Sequence, residues 1–176
     1  MALAPADWRE TDENHVDYGS GMSEWCGNCH GSMLHGSAVQ HPAGEAAVFT
    51  ESTAENYGAY IRTGDLSGSL ASSYLALVPF ERGSSDPNLL DPESTAGPQP
   101  GSSNVMCLTC HRAHASAFDS IGRWDMSATF LAQSHPQAGD GGAADMDPRN
   151  SYYGRDVESE FGPYQRSLCN KCHAAD

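Results

Sequence analysis

Hydrophobic positions along this chain come in short bursts separated by polar, glycine-rich stretches. Residues 23–31 read as a first helix, with Ser23 as N-cap and Glu24 in the first turn. Residues 54–62 read as a second, in which Tyr57, Tyr60 and Ile61 share an apolar face and Gly64 lies past the end. A third helix is expected over 69–77, where Leu70, Tyr74 and Leu77, with neighbouring Phe80, form a stripe suited to core packing. Further helical stretches are expected at 104–115, 124–131 and 163–173. The intervening segments 36–44, 83–103 and 139–149 predict irregular loops, and residues 1–22 read as an extended arm.

The expected architecture is irregular: mostly loops with short α-helices and little or no β-sheet. A chain of 176 residues suits a single domain, 1–176, in which loop 83–103 separates an N-terminal lobe (1–82) from a C-terminal one (104–176). With 18 Gly and 10 Pro, its side chains alone make a poor core. Something else is needed to fill it.

The cysteines supply the answer. All six lie in three copies of one pattern, Cys26-Gly27-Asn28-Cys29-His30, Cys107-Leu108-Thr109-Cys110-His111 and Cys169-Asn170-Lys171-Cys172-His173. C-x-x-C-H is the attachment signature of c-type haem. Two thiols about one helical turn apart can form thioethers to one porphyrin, and the adjoining His reaches the iron. With 8 His in the chain, His after three unrelated pairs is roughly a one-in-ten-thousand coincidence. A zinc ribbon wants knuckles about 15–20 residues apart, a thioredoxin-like pair occurs once per domain, and a disulfide framework scatters its cysteines. Three covalently bound haem c groups are therefore expected, with His30, His111 and His173 as proximal iron ligands. Their porphyrins supply the missing apolar interior.

Five histidines remain for the opposite face of each iron. His114 is too close to His111 to reach around the same haem, so it can ligate only a different one. His35, five residues after His30, is subject to the same argument. His41 and His135 each precede a proline in a Gly-containing loop, which restricts the backbone that holds the imidazole. His114 and His135 rank first as distal ligands and His41 next, with His35 and His15 in reserve as distal or inter-subunit ligands. This surplus favours six-coordinate iron and electron transfer over an open catalytic iron. Met22, Met33, Met106 and Met126 offer thioether alternatives but read as packing. The acidic loop 140–147 lacks the EF-hand pattern and reads as solvated.

The formal charge is −14, with one Lys (Lys171) and eight Arg, which argues against nucleic acid and anionic membranes as partners. Basic proteins, metal cations and oxidised mineral surfaces fit better, and the partners expected are redox proteins or extracellular metal or mineral acceptors. No stretch approaches the roughly 20 apolar residues of a membrane span. Haem attachment to this motif normally takes place outside the cytoplasmic membrane, whereas residues 1–8 lack a basic and an apolar signal region. An export signal is therefore expected to have been removed. The expected location is extracellular or on the cell surface, otherwise periplasmic.

Beyond the motifs, residues 14–30, 106–116 (MCLTCHRAHAS) and 164–173 (YQRSLCNKCH) make the sequence resemble the small multihaem c-type cytochromes of metal-respiring bacteria. The resemblance implies electron conduction through bis-His haems at low potential, with no substrate turnover. Some members of that family polymerise into extracellular filaments in which a His of one subunit ligates a haem in the next. A homo-oligomer or filament is accordingly an expectation here, although three motifs differ from the four- and six-haem filament proteins. The rival function is a multihaem oxidoreductase with one open haem, acting on a small oxidant such as nitrite.

Overall fold

A computed structural model describes residues 1–35 and 41–174. Regular structure is sparse. Five helices are described, α1 (Met22–His35), α2 (Glu51–Ala59), α3 (Cys107–Cys110), α4 (Asp147–Ser151) and α5 (Val157–Phe161), together with isolated 3-10 turns. One two-stranded antiparallel sheet pairs β1 (Ala2–Leu3) with β2 (Asp17–Tyr18), Ala2 opposite Tyr18. The rest is irregular chain, as its glycine and proline content dictates.

α2 organises the interior. Thr50 caps it by accepting from the Thr53 N–H, and the Thr53 hydroxyl in turn accepts from the Thr50 N–H. Its buried residues are Ala54, Tyr57 and Gly58. Tyr57 packs edge-on against Phe49 and Phe80, with ring centroids 6.0 and 5.4 Å away. The Tyr57 hydroxyl donates to the Val78 carbonyl (2.8 Å) and accepts from the Leu75 N–H (3.2 Å). The stripe foreseen from sequence thus packs in the core, Tyr74, Leu77 and Phe80 all being buried. The same buried cluster continues through Phe118, Trp124 and Leu131 to Leu168, so it draws on residues from both sides of loop 83–103.

Several expected helices are shorter or absent. Only Leu70–Ser72 of 69–77 turns, as a 3-10 turn capped by Ser69. The Ser69 hydroxyl accepts the Ala71 N–H, and the Tyr74 N–H is taken by the Thr95 carbonyl. Only Cys107–Cys110 of 104–115 is helical, because His111 is extended and the Arg112 N–H turns to the Ile121 carbonyl. In 124–131 the Asp125 carboxylate accepts from the N–H groups of Ser127 and Ala128, a turn that competes with helix. In 163–173 only Leu168–Lys171 turns. Conversely, part of the expected loop 139–149 lies in α4, and α5 had no clear apolar period.

The N-terminal segment is not a loose arm. The His15 N–H bonds to the Pro92 carbonyl, and Asp17 pairs with Arg82 at 2.8 Å while accepting from the Asp91 N–H. Isolated bridges join Tyr18 to Glu81, Glu81 to Asn104 and Asn104 to Val48, stitching four distant segments side by side. Gly83 leaves this ladder with φ +78°, and a Cβ there would lie 1.9 Å from the Ser102 carbonyl oxygen.

Candidate metal centre

The first motif rides on α1, the second is α3 with its next residue, and the third occupies the Leu168–Lys171 turn and its exit. Each therefore sits on about one turn of helix, which sets the two cysteines side by side. Where His30 follows Cys29 the helix is kinked, with φ −114° and ψ 36°. His111 is extended beyond α3. All six thiols are free, and the three motif histidines are exposed. Among the described residues no three His, Cys, Asp or Glu side chains converge as a metal cluster.

The motifs are held to one another. Ser23, expected as the α1 cap, instead accepts the Cys107 N–H at 3.0 Å, pinning α1 to α3. Burial raises the Cys26 thiol above its ordinary range, and the nearby Cys107 raises it further. Burial pushes Cys110 up to about 11, with Cys169 adding to the effect. It pushes Cys172 up to about 12, with Cys110 as the next contributor. The second motif thus stands electrostatically between the first and third. In the bare polypeptide these thiols are kept neutral.

The third motif is anchored from inside. Lys171 is buried, donates from Nζ to the Tyr60 carbonyl at 2.7 Å, and lies 4.5 Å from the Tyr57 ring centroid. Burial lowers its pKa to about 8. Trp124 donates to the Ser167 hydroxyl just before the motif.

The histidines differ sharply in setting. His41 and His173 are neighbours, with ring centroids 6.0 Å apart and planes at 88°. A separation of this size brings two imidazoles from distant parts of the chain close enough to serve one site. His41 Nδ1 bonds to the Pro42 carbonyl at 3.0 Å, and His111 Nδ1 to the Ser120 carbonyl at 2.8 Å. A carbonyl only accepts, so Nδ1 carries the proton and Nε2 is the free ligand atom. His135 is exposed and bonds through Nδ1 to Asp140, leaving Nε2 free in the same way. His114 is exposed at a left-handed backbone position, φ +61°.

His15 is fully buried, stacked on Tyr74 at 3.6 Å, and neither ring nitrogen has a hydrogen-bond partner. Burial lowers its pKa to about 4. His35 ends α1, and its side chain lies outside the described residues. Of the methionines, Met106 is core, while Met33 and Met126 are exposed. Sequence reasoning missed Ser23 as a tie between motifs, the burial of Lys171 and the role of Arg123. No periodicity marks these, although a lone Lys inside a C-x-x-C pair was a visible oddity.

Free thiol pairs beside imidazoles with one nitrogen spared are the donor chemistry of covalent haem c, and a chain carrying several such sites is a multihaem c-type cytochrome. The comparisons agree. C-type cytochrome OmcS of Geobacter sulfurreducens is 41% identical over 201 residues, covering 99% of this chain and 45% of that protein. The cryo-EM structure of OmcS nanowires from the same organism superposes with a TM-score of 0.80 at 39% identity, covering 99% of this chain and 48% of the other. A structure of the outer membrane cytochrome S filament gives the same score and identity over 100% of this chain. No protein-family model matches. Over nearly its whole length the chain is similar to these c-type cytochromes, and it spans less than half the length of each relative.

Proposed function

We propose that the chain conducts electrons through three covalent haem c groups, held by Cys26 and Cys29, Cys107 and Cys110, and Cys169 and Cys172. His30, His111 and His173 are the proximal ligands. His41 stands opposite His173 on the third iron, as the 6.0 Å separation of their rings supports. His114 and His135 are the distal candidates for the other two irons. His35 and His15 remain in reserve, and His15 reaches a neighbouring copy only once its segment leaves Tyr74. Bound haem supplies one-electron redox chemistry. The protein fixes the spacing of attachment points and orients His41, His111 and His135 through Nδ1.

The observation that carries this reading is the connected series of motifs, the second tied to the first through Ser23 and packed, through Cys110, against the same core cluster as Cys172 of the third. Adjacent attachment points suit transfer from haem to haem. The OmcS structures are of filaments, and their fold is shared over nearly all of this chain. We therefore infer assembly into an extracellular homopolymer, with redox proteins or mineral surfaces as outer partners. Among the described residues no helix is long and apolar enough to cross a membrane. The test is the mass of the denatured protein, expected to carry three haem additions, together with a wholly low-spin spectrum and filaments in negative stain. High-spin ferric haem that rapidly binds cyanide would instead favour the oxidoreductase. Compact monomers alone would remove the filament.

A further inference from the structure

Arg123 is almost wholly buried in a strongly acidic protein, yet among the described residues no carboxylate lies within ion-pair distance of it, whereas Arg62, Arg82, Arg149 and Arg155 all pair with one. Its bonds go to the second motif and its surroundings. Nε donates to the Leu108 carbonyl at 2.5 Å and to the His111 carbonyl at 3.2 Å. The backbone N–H donates to the Cys110 carbonyl at 2.9 Å. Nη1 donates to the Ala76 carbonyl at 3.0 Å and to the Tyr153 hydroxyl at 3.1 Å. One residue thus grips three successive points of Cys107–His111 and joins them to the core. Its neighbours Gly122 and Ser120 complete the hold, since Gly122 bridges His111 and the Ser120 carbonyl takes the His111 Nδ1 proton.

We infer that Arg123 is a positioning residue for the second motif, orienting His111 and raising the reduction potential of the haem held there. The inference rests on haem attachment at Cys107 and Cys110. Reduction delivers one electron to the ferric iron, with no bond made or broken and no proton moved. A buried cation favours the ferrous state, in which the centre carries one positive charge fewer, and the low local dielectric keeps that influence from being screened. Glu10 opposes it, because the Glu10 carboxyl interacts with Arg123 although burial raises its pKa. Arg112, close enough to interact with Arg123, adds a second positive charge, whereas Arg155 is paired with Asp12 and Glu160.

The experiment is a spectroelectrochemical titration of the holoprotein, with electron paramagnetic resonance of the oxidised form, on wild type, Arg123→Gln and Arg123→Lys. Haem mass is measured first, and fewer than three additions in wild type refutes the three-haem reading separately. In Arg123→Gln one haem component is expected to move to lower potential, raising its ferric-to-ferrous ratio at the wild-type midpoint about tenfold, or about 59 mV for one electron. Arg123→Lys keeps the charge but loses the planar fork. It is expected to hold that ratio within about twofold while shifting the low-spin signal of one haem. Should Arg123→Gln give no holoprotein, Arg123→Lys decides alone, and an unaltered low-spin signal in it overturns the inference. In Arg123→Gln, an unmoved midpoint or an equal shift of all components overturns it as well.

Discussion

His41 and His173 lie 132 positions apart in sequence, yet their ring centroids are 6.0 Å apart, with planes at 88°. Their spacing, with Nδ1 of His41 engaged by Pro42, leaves room for one metal and a nitrogen to bind it. Replacing His41 by Ala is expected to convert one of three haems from low to high spin without reducing the number attached. Haem mass and the ferric spectrum check this. Retention of three low-spin haems would assign the sixth ligand elsewhere.

Ser23 and Cys107 tie the first two motifs. In Ser23→Ala the Cys107 N–H loses its acceptor, which costs about 1–3 kcal/mol. A lower denaturant midpoint with unchanged haem mass is the expected result. An unchanged midpoint would show that this bond does not hold α1 to α3.

Tyr57 offers a second stability test. Removing its hydroxyl leaves the Val78 carbonyl and the Leu75 N–H unpaired in the core, so Tyr57→Phe is expected to lose about 1–3 kcal/mol in urea unfolding. Gly58→Ala acts by a different route. The new Cβ would lie 2.7 Å from Leu70 Cγ, and overpacking of this kind costs about 1–3 kcal/mol. Leu70→Ala in the same chain should recover part of the Gly58→Ala loss if this clash is its cause.

Acid should weaken the fold through His15. Its folded pKa of about 4 lies below the ordinary 6.5 because burial disfavours the imidazolium. Between these values the unfolded chain binds more protons, so stability is full above about pH 6.5 and falls as pH drops towards about 4. From pH 7 to pH 5 the expected loss from this residue is at most about 2 kcal/mol. Glu10 and Glu81, whose carboxyls are raised by burial, act in the opposite sense. The check is therefore the difference between wild type and His15→Gln in urea midpoints at the two pH values. A filament in which His15 ligates iron would lose this difference, because a ligated imidazole does not titrate.

The sequence made the chemistry more legible than the architecture. C-x-x-C-H is a local pattern whose spacing follows from the group it holds, so Cys26 through His173 could be read without a fold. Tyr74, Leu77 and Phe80 were likewise recognisable as core from their apolar character. Their path was not, because the Ser69 hydroxyl takes the Ala71 N–H and the partner of the Tyr74 N–H lies at Thr95. The pairing of His41 with His173 depends on tertiary geometry alone. So does Arg123, whose acceptors are backbone carbonyls that leave no trace in residue identity.

The anchoring of Lys171 on Tyr60 has a consequence for biogenesis. Ribosomes release a chain from its N-terminus onward. The aromatic cradle around α2 is complete by residue 80, but it waits some ninety residues for Leu168 and Lys171 to close it. During that interval the nascent segment presents oily surface and unguarded thiols together. An escort that shields both until the last cysteine pair arrives would spare this polypeptide from clumping and from premature oxidation.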